Sequence, residues 1–573
     1  MLTNKNIQIV IMSQRITTLC DVISFNFFYI LLSIVHCSIM ADVYDNIRKL
    51  SEVHGNPGTS QITYGTAGFR AKANILDHVF FRMGLLAVLR SKFKSATIGL
   101  MTTASHNPEE DNGVKLVDPM GEMLEESWES IATELANASN DDLVNVLKNI
   151  VEKYKINLEV SASVVAGRDT RPSSITLSNA AKDGVTAFGA KYEDFGLLTT
   201  PQLHYLVVCK NTDEKYGTAT EEGYYKKLSD AFSFALGEKS CSGDLTVDCA
   251  NGVGAPKLKE FSKHILEKLK INIVNDGTIG KLNENCGADF VKIQQTGPSG
   301  ITIKPNERFA SFDGDADRLI YYSATDEGKF GMLDGDKIAA LIASLFKELL
   351  QEANISLEVG VVQTAYANGS STNYLTDKLK IPVACTKTGV KHLHHKAKDF
   401  DIGVYFEANG HGTVILKPEA EDKIRQASTN KESTECQLKA SKKLTHFIDL
   451  INQTVGDAMS DMLVVEAILC NRDWSIKEWS QIYTELPNRQ LKVKVKDRSV
   501  VKTTDAERKL TNPEGLQALI DDVVSKYPNG RSFVRPSGTE DVVRVYAESD
   551  TQENADKLAD EVKELVKEHA GGI

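Results

Sequence analysis

Ala96-Thr97-Ile98-Gly99-Leu100-Met101 runs into Thr102-Thr103-Ala104-Ser105-His106-Asn107-Pro108 and then Glu109-Glu110-Asp111-Asn112-Gly113-Val114-Lys115. The first six residues are apolar, partly β-branched and bounded by polar neighbours, which predicts a buried strand. Asn107-Pro108 then turns the backbone out of regular structure, because proline fixes φ and restricts the residue before it. Ser105 falls just past the strand end, with His106 beside it and Lys115 a short loop away. Most serines in such places cap or turn the chain, so the other units decide whether this one is a nucleophile.

Working outward, His78 to Arg90 reads as an apolar helix feeding the Ser105 strand. Val160 to Gly167 is a second strand, ending in Arg168-Asp169-Thr170-Arg171-Pro172, and Ser178 to Phe188 is helical by pattern. Strand and helix alternating in this way indicate βαβ units and a parallel or mixed sheet. A charged, tyrosine-rich linker, Lys210 to Lys227, marks a boundary, after which Leu245 to Cys249 repeats the strand-to-glycine-turn pattern. Then Phe309-Ala310-Ser311-Phe312, Asp313-Gly314-Asp315-Ala316-Asp317-Arg318 and Leu319-Ile320-Tyr321-Tyr322 give strand, acidic loop and strand. Ile402 to Phe406, Glu407-Ala408-Asn409-Gly410-His411-Gly412 and Thr413 to Leu416 repeat the arrangement. Glu419 to Lys443 is polar and reads as a surface excursion. A last, different unit carries Arg531 to Arg535, the loop Pro536-Ser537-Gly538-Thr539-Glu540-Asp541, a strand to Ala547 and a closing helix.

The expected divisions are 1–42 as a non-conforming extension, 43–210, 211–312, 313–455 and 456–573. Val22 to Val35 in the extension is strongly apolar, but Asn26 and several serines interrupt the run. Met40-Ala41-Asp42 offers an alternative start, so a membrane role is not expected. A net charge of −12 over 573 residues argues against non-specific nucleic-acid binding. Nine cysteines, never spaced C-x-x-C, suit reduced thiols and a cytoplasmic protein.

Asp313, Asp315 and Asp317 alternate in one short loop, where mutual repulsion calls for a cation. An all-oxygen set with few protein ligands suits Mg²⁺. Arg535, Pro536, Ser537, Gly538 and Thr539, with Arg544 on the returning strand, form a nest for a phosphate dianion. This is not a nucleotide P-loop, since no G-x-x-x-x-G-K-[ST] occurs. Tyr64-Gly65-Thr66-Ala67-Gly68-Phe69-Arg70 lets backbone approach a ligand and offers a guanidinium. Glu407, Ala408 and Asn409 place a carboxylate and an amide where sugar hydroxyls would fit. Lys391 to Lys396, with three histidines, reads as a helical surface or phosphate-facing patch, not a zinc site.

In order along the chain, the Ser105 loop, the Asp313 loop, the Glu407 loop and Arg535-Pro536-Ser537-Gly538-Thr539 resemble the motifs of the α-D-phosphohexomutases, over roughly 45–570. The resemblance implies an α/β four-domain fold: three similar mixed-sheet domains and a smaller C-terminal α+β domain around a central cleft. It further implies an isomerase in which Ser105 carries a phosphoryl group, bound to Mg²⁺ with Asp313, Asp315 and Asp317. The reaction would pass through a sugar 1,6-bisphosphate that must turn over before it recharges Ser105. The form of the Tyr64, Ser105 and Glu407 motifs implies, through the resemblance, N-acetylglucosamine 6-phosphate as the substrate, converted to the 1-phosphate that feeds UDP-N-acetylglucosamine. Small Ala408 and Gly410 would leave room for its acetamido group, with Asn409 as the hydrogen-bonding partner. Glucose or mannose phosphates are the alternative, and a silent sugar-phosphate binder is a further one. Arg318 would spread transition-state charge, while His106, Lys115 or Arg70 would handle the hydroxyl proton. No nucleic-acid partner is expected, and the spacing says nothing of oligomeric state.

Overall fold

Each of the first three sheets is built on a strand that has a parallel neighbour on one side and an antiparallel one on the other. In the computed structural model, which describes residues 42–58, 61–65, 68–537 and 542–573, these strands are Thr97–Thr102, Arg308–Phe312 and Ile402–Phe406. Thr97–Thr102 pairs parallel to Ser163–Arg168 and antiparallel to Asp111–Val117. Arg308–Phe312 pairs parallel to Leu245–Asp248 and antiparallel to Leu319–Ala324. Ile402–Phe406 pairs parallel to Val359–Thr364 and antiparallel to Gly412–Leu416. In all three, the connection from the central strand to its antiparallel partner is the loop that the sequence singles out. The spatial order of these strands is shared, but along the chain the hairpin precedes the parallel strands in the first sheet and follows them in the other two. The ligand-bearing loops of open α/β sheets leave the carboxyl ends of strands, and these three do so.

The central strands are apolar because both faces are covered: Arg308–Phe312 and Ile402–Phe406 are buried throughout. One apolar core runs from Met101 and Val165 through Leu245 and Phe312 to Val361, Val404 and Trp479. Helices Gly335–Glu352, Glu435–Leu450 and Ala458–Arg472 contribute to it, so it links the first three sheets, while the other face of the first sheet has a core of its own around Phe80, Leu100 and Val164.

The fourth sheet is wholly antiparallel, in the order Asn488–Lys494, Val542–Glu548, Arg531–Pro536. Leu516–Val524 and Gln552–His569 cover it, and its core is separate. A small aromatic cluster joins it to the third sheet: Tyr366 lies 5.0 Å from the Phe533 ring and 5.8 Å from Tyr546. Arg531 adds donors to the carbonyls of Ala365 at 2.8 Å and Ala367 at 2.6 Å.

Several expectations need revision. The second sheet continues to Leu333, past the expected 312/313 division, because Asp313–Arg318 is the turn of an antiparallel hairpin. Helix Ala458–Arg472 belongs to the shared core and not to the fourth unit, since it packs on both Glu221–Leu236 and Gly335–Glu352. The polar 419–443 segment does lie largely at the surface, and its form is helical, in Pro418–Ala427 and Glu435–Leu450. A capping box, Thr434 with Gln437, starts the second of these and was the available signal. The histidine run forms helix Val390–Ala397, and its Lys391 reaches the Leu124 carbonyl at 2.6 Å and the Glu129 carboxylate. The apolar segment at 22–35 lies outside the described residues. Among the described residues no helix is long and apolar enough to cross a membrane, and the seven described cysteines are free.

Candidate active site

Ser105 has left-handed backbone, φ 51°, and is fully buried. A non-glycine residue is rarely stable there without outside support. The support comes from its own carbonyl, which accepts from Arg171 at 2.8 Å and Asn283 at 2.8 Å. Arg171 also donates to the carbonyls of Asn107, Pro108 and Asp111 and to the Asp169 carboxylate, so one buried guanidinium ties down the whole loop. Asn283, from the second unit, repeats the contact to Asn107 at 2.9 Å. Gly314 has no room for a side chain, because a Cβ would sit 2.5 Å from the Ser105 carbonyl oxygen.

That close approach brings the Ser105 hydroxyl to Asp313, to which it donates at 2.6 Å. His106 Nδ1 lies 3.4 Å from the same hydroxyl. The other Asp313 oxygen accepts from the backbone N–H groups of Asp317 and Arg318. Asp315 accepts from Thr200 at 2.6 Å and Lys115 at 3.0 Å, and Lys115 also reaches Asp317 at 3.4 Å. His411 Nδ1 stands 3.1 Å from Asp317. Arg318 pairs with both oxygens of Asp289, at 2.8 and 2.7 Å, and lies 3.8 Å from Asp313 and Asp317. The third loop docks directly on this one: Leu319 N–H donates to the Gly410 carbonyl at 3.1 Å. Gly410, at φ +84°, would otherwise push a Cβ to 2.0 Å from the Leu319 oxygen.

Oxygens of Asp313, Asp315 and Asp317 lie within 4.8 Å of one another, all buried. One oxygen of Asp315 has no hydrogen-bond donor, and one of Asp317 faces only His411 Nδ1 and Arg318 Nε. Converging, under-satisfied carboxylate oxygens are what a small divalent cation takes, and the donor set is hard oxygen. Without such a charge the loop is frustrated. Burial, then the neighbouring Asp317 and Asp315, push the Asp313 carboxyl well above its ordinary range. Burial would also raise Asp317, but His411, Lys115 and Arg318 outweigh it and hold that carboxyl well below the usual range. Burial, reinforced by Arg318, takes His106 down to about 3, so its imidazole is neutral near pH 7.

Two adjoining cavities, of about 710 and 750 Å³, form one cleft in front of these loops. Arg70, His106, Lys115, Asp317 and Arg318 line the first. Arg544 and Ala408 line the second, while Glu407, Asn409, Arg535 and Ser537 face both. Pro536 lies on the first, and Arg535 stands opposite Arg544 in the sheet register. Gly538 and Thr539 lie outside the described residues. Ser105, Asp313 and Asp315 sit behind the cavity wall rather than on it, because the hydroxyl is turned onto Asp313. Glu407 accepts from Gly389 N–H at 3.1 Å and from Asn409 at 3.3 Å, so this loop is held both by its own amide and by a neighbouring backbone donor.

Sequence reasoning missed Arg171, Asn283, Thr200, Asp289 and His411, each of which touches one of these loops. The signal for Arg171 was its place just past a strand end, beside Asp169, and His411 lies within the Glu407 loop already singled out; Asn283, Thr200 and Asp289 carry no local mark.

Family models match in succession. Phosphoglucomutase/phosphomannomutase, alpha/beta/alpha domain I, matches 76–142 and 138–215, and Phosphoacetylglucosamine mutase AMG1, domain II, matches 214–320. Phosphoacetylglucosamine mutase AMG1, domain III, matches 334–474, and the phosphoglucomutase/phosphomannomutase C-terminal domain matches 491–565. The chain is 61% identical to phosphoacetylglucosamine mutase of Sus scrofa and 60% to that of Homo sapiens, in each case over 92% of this chain and 98% of the relative. A solved N-acetylglucosamine-phosphate mutase in its product complex superposes with TM-score 0.88 at 51% identity, covering 92% of this chain and all of that one. The Aspergillus fumigatus N-acetylphosphoglucosamine mutase, solved with GlcNAc-6P and magnesium, gives 0.89 at 50% identity, over 92% of this chain and 99% of that one.

Proposed function

The chain belongs to the phosphoacetylglucosamine mutases of the α-D-phosphohexomutase superfamily, and from that membership we infer that it interconverts N-acetylglucosamine 6-phosphate and N-acetylglucosamine 1-phosphate. The observation that carries the reading is the 2.6 Å hydrogen bond from Ser105 to Asp313, between loops 208 residues apart that leave equivalent strands of two sheets.

In the forward direction phospho-Ser105 loses its phosphoryl group to the sugar 1-hydroxyl: the Ser105 Oγ–P bond breaks and an O1–P bond forms. The hydroxyl proton leaves to a group among His106, Lys115 and Arg70, all of which line the cavity. The resulting 1,6-bisphosphate turns over, and its 6-phosphoryl group returns to Ser105, releasing the 1-phosphate. Asp313, Asp315 and Asp317, with an oxygen on Ser105, would hold the magnesium ion, which would supply positive charge against the transferring phosphoryl group. Arg318 is fixed by Asp289 and adds a permanent charge from the side of the third loop. At the far end Arg535, Pro536, Ser537, Gly538, Thr539 and Arg544 take the phosphate that is not reacting. Glu407 and Asn409 meet the sugar, and small Ala408 leaves space beside them.

We set the working units by the sheets, the second running to Leu333 and the third taking in Ala458–Arg472. A cytoplasmic setting and a role in supplying UDP-N-acetylglucosamine belong to the same proposal, and the free described thiols support the first. The test is a coupled assay on the 6-phosphates of N-acetylglucosamine, glucose and mannose, with added Mg²⁺. Preference for the acetylated sugar is expected, together with a loss of roughly 10⁴-fold or more in Ser105→Ala. Preference for glucose or mannose phosphate, or net release of inorganic phosphate, overturns the assignment.

A further inference from the structure

Strands Lys502–Thr504 and Lys509–Asn512 form a hairpin packed on the fourth sheet, and its tip is strained. Asp505, Ala506 and Glu507 all have left-handed backbone, with φ 51°, 55° and 68°. Three successive non-glycine residues adopt that region only when contacts elsewhere hold them there. Arg508 holds Asp505 from within the turn, donating to its carbonyl at 3.1 Å and to its carboxylate at 2.6 Å, while Glu507 is held by its own side chain, which reaches into the cleft. One carboxylate oxygen accepts from the Thr388 backbone N–H at 2.9 Å and from the Thr388 hydroxyl at 2.7 Å. The other lies 3.3 Å from Arg535 Nε.

Thr388 belongs to the third unit, just past strand Val383–Thr386, and the N–H of the next residue, Gly389, goes to Glu407. Glu407 and Glu507 thus take successive backbone donors of one loop, from opposite sides of the domain boundary. The Glu507 side chain is 16% exposed and lines the same cavity as His106 and Arg318. A single carboxylate therefore bridges the fourth unit's hairpin, the third unit's loop and the guanidinium assigned to phosphate. Charge-assisted hydrogen bonds of this kind are the stronger ones, and this bridge closes over the space in which the intermediate must turn.

We propose that Glu507 is a positioning residue for the mutase reaction, a latch that fastens the fourth unit to Thr388 and keeps the bisphosphate enclosed while it reorients. The proposal rests on the mutase reading. Opening the latch lets the intermediate escape before it recharges Ser105, which leaves a dephosphorylated, idle enzyme.

The test uses the full chain labelled with ³²P on Ser105 and N-acetylglucosamine 6-phosphate as substrate, counting labelled 1,6-bisphosphate released to solution per product formed. Glu507→Ala is expected to release about tenfold more than the parent, and added glucose 1,6-bisphosphate restores its turnover. Glu507→Gln retains an oxygen for Thr388 and falls between the two. Thr388→Val removes the hydroxyl alone, raises release in the same direction, and carries the test should the Glu507 variants fold poorly. Unchanged release in Glu507→Ala and Thr388→Val overturns the latch while leaving the mutase assignment standing. Tighter retention in Glu507→Ala also overturns it, since that sign belongs to a carboxylate standing in for phosphate. A parent chain that makes no bisphosphate fails the mutase reading itself.

Discussion

The Ser105 loop and the Arg535 loop face one cleft but are held in opposite ways. Ser105 is fully buried, its carbonyl is fixed by donors from two units, and the sheets behind it share a continuous apolar core. Arg535 stands on a sheet with a core of its own, joined to the rest by the small cluster around Tyr366, the Arg531 donors and Glu507. Phosphoryl transfer is won by positioning and fixed charge, which favours an over-determined reacting end. A bisphosphate that must reverse its orientation needs the opposite at the holding end, where a few polar contacts can be exchanged without breaking a core.

Arg171→Lys is the strongest way to break that contrast. A point charge cannot satisfy the five acceptors the guanidinium now serves, and a buried pair with Asp169 is disturbed. Lysine keeps the charge beside Asp169 but leaves buried carbonyls without a donor, at about 1–3 kcal/mol for each. We expect kcat to fall on the order of 100-fold with KM little changed, and the thermal midpoint to drop; a KM effect alone would mean that the reacting end is not rigidly set. Tyr366→Ala attacks the other region. Loss of the aromatic wedge should raise KM about tenfold, or roughly 1.4 kcal/mol, with a smaller change in kcat, and should speed proteolysis near 484–488. An equal fall in kcat and kcat/KM would show that the fourth unit is as tightly coupled to the chemistry as Ser105 is.

The smallest expected effect concerns proton linkage in the rigid region. His204 is buried, its Nδ1–H donates to the Gly121 carbonyl at 2.7 Å, and burial lowers its pKa to about 4. The folded state therefore refuses a proton that the unfolded chain takes below about 6.5. Its contribution to stability is fully present above that value and is lost as pH falls toward 4. Between pH 7.5 and pH 6 the loss is under about 1 kcal/mol. His204→Asn, which keeps a donor for Gly121, should make the melting temperature fall less steeply over this interval, with His78 and His106, likewise lowered by burial, keeping the remainder of the slope; an unchanged slope would place the titration elsewhere.

Much of this was legible in advance because its causes are local. Apolar runs broken by Ser105-His106-Asn107-Pro108, by three alternating aspartates and by Glu407-Ala408-Asn409 mark strands and loops without reference to the rest of the chain. The helices at 418–427 and 435–450 were less legible because their exposed faces are charged, and periodicity alone understates a helix whose apolar stripe is narrow. Arg171, Asn283, His411 and Glu507 were not legible for a different reason. Their partners lie tens to hundreds of residues away, and no local pattern shows that one guanidinium serves five acceptors or that one carboxylate spans two units.

By itself the sequence determined which residues could react, hold a cation or cradle a phosphate, since those capacities belong to side-chain types at short spacing. Tertiary structure alone decided that the three loops leave equivalent strands and meet, that Ser105 is held in a strained backbone against Asp313, and that Glu507 crosses to Thr388. Those outcomes depend on how separate sheets pack, and packing is set by the sum of many long-range contacts that no single stretch encodes.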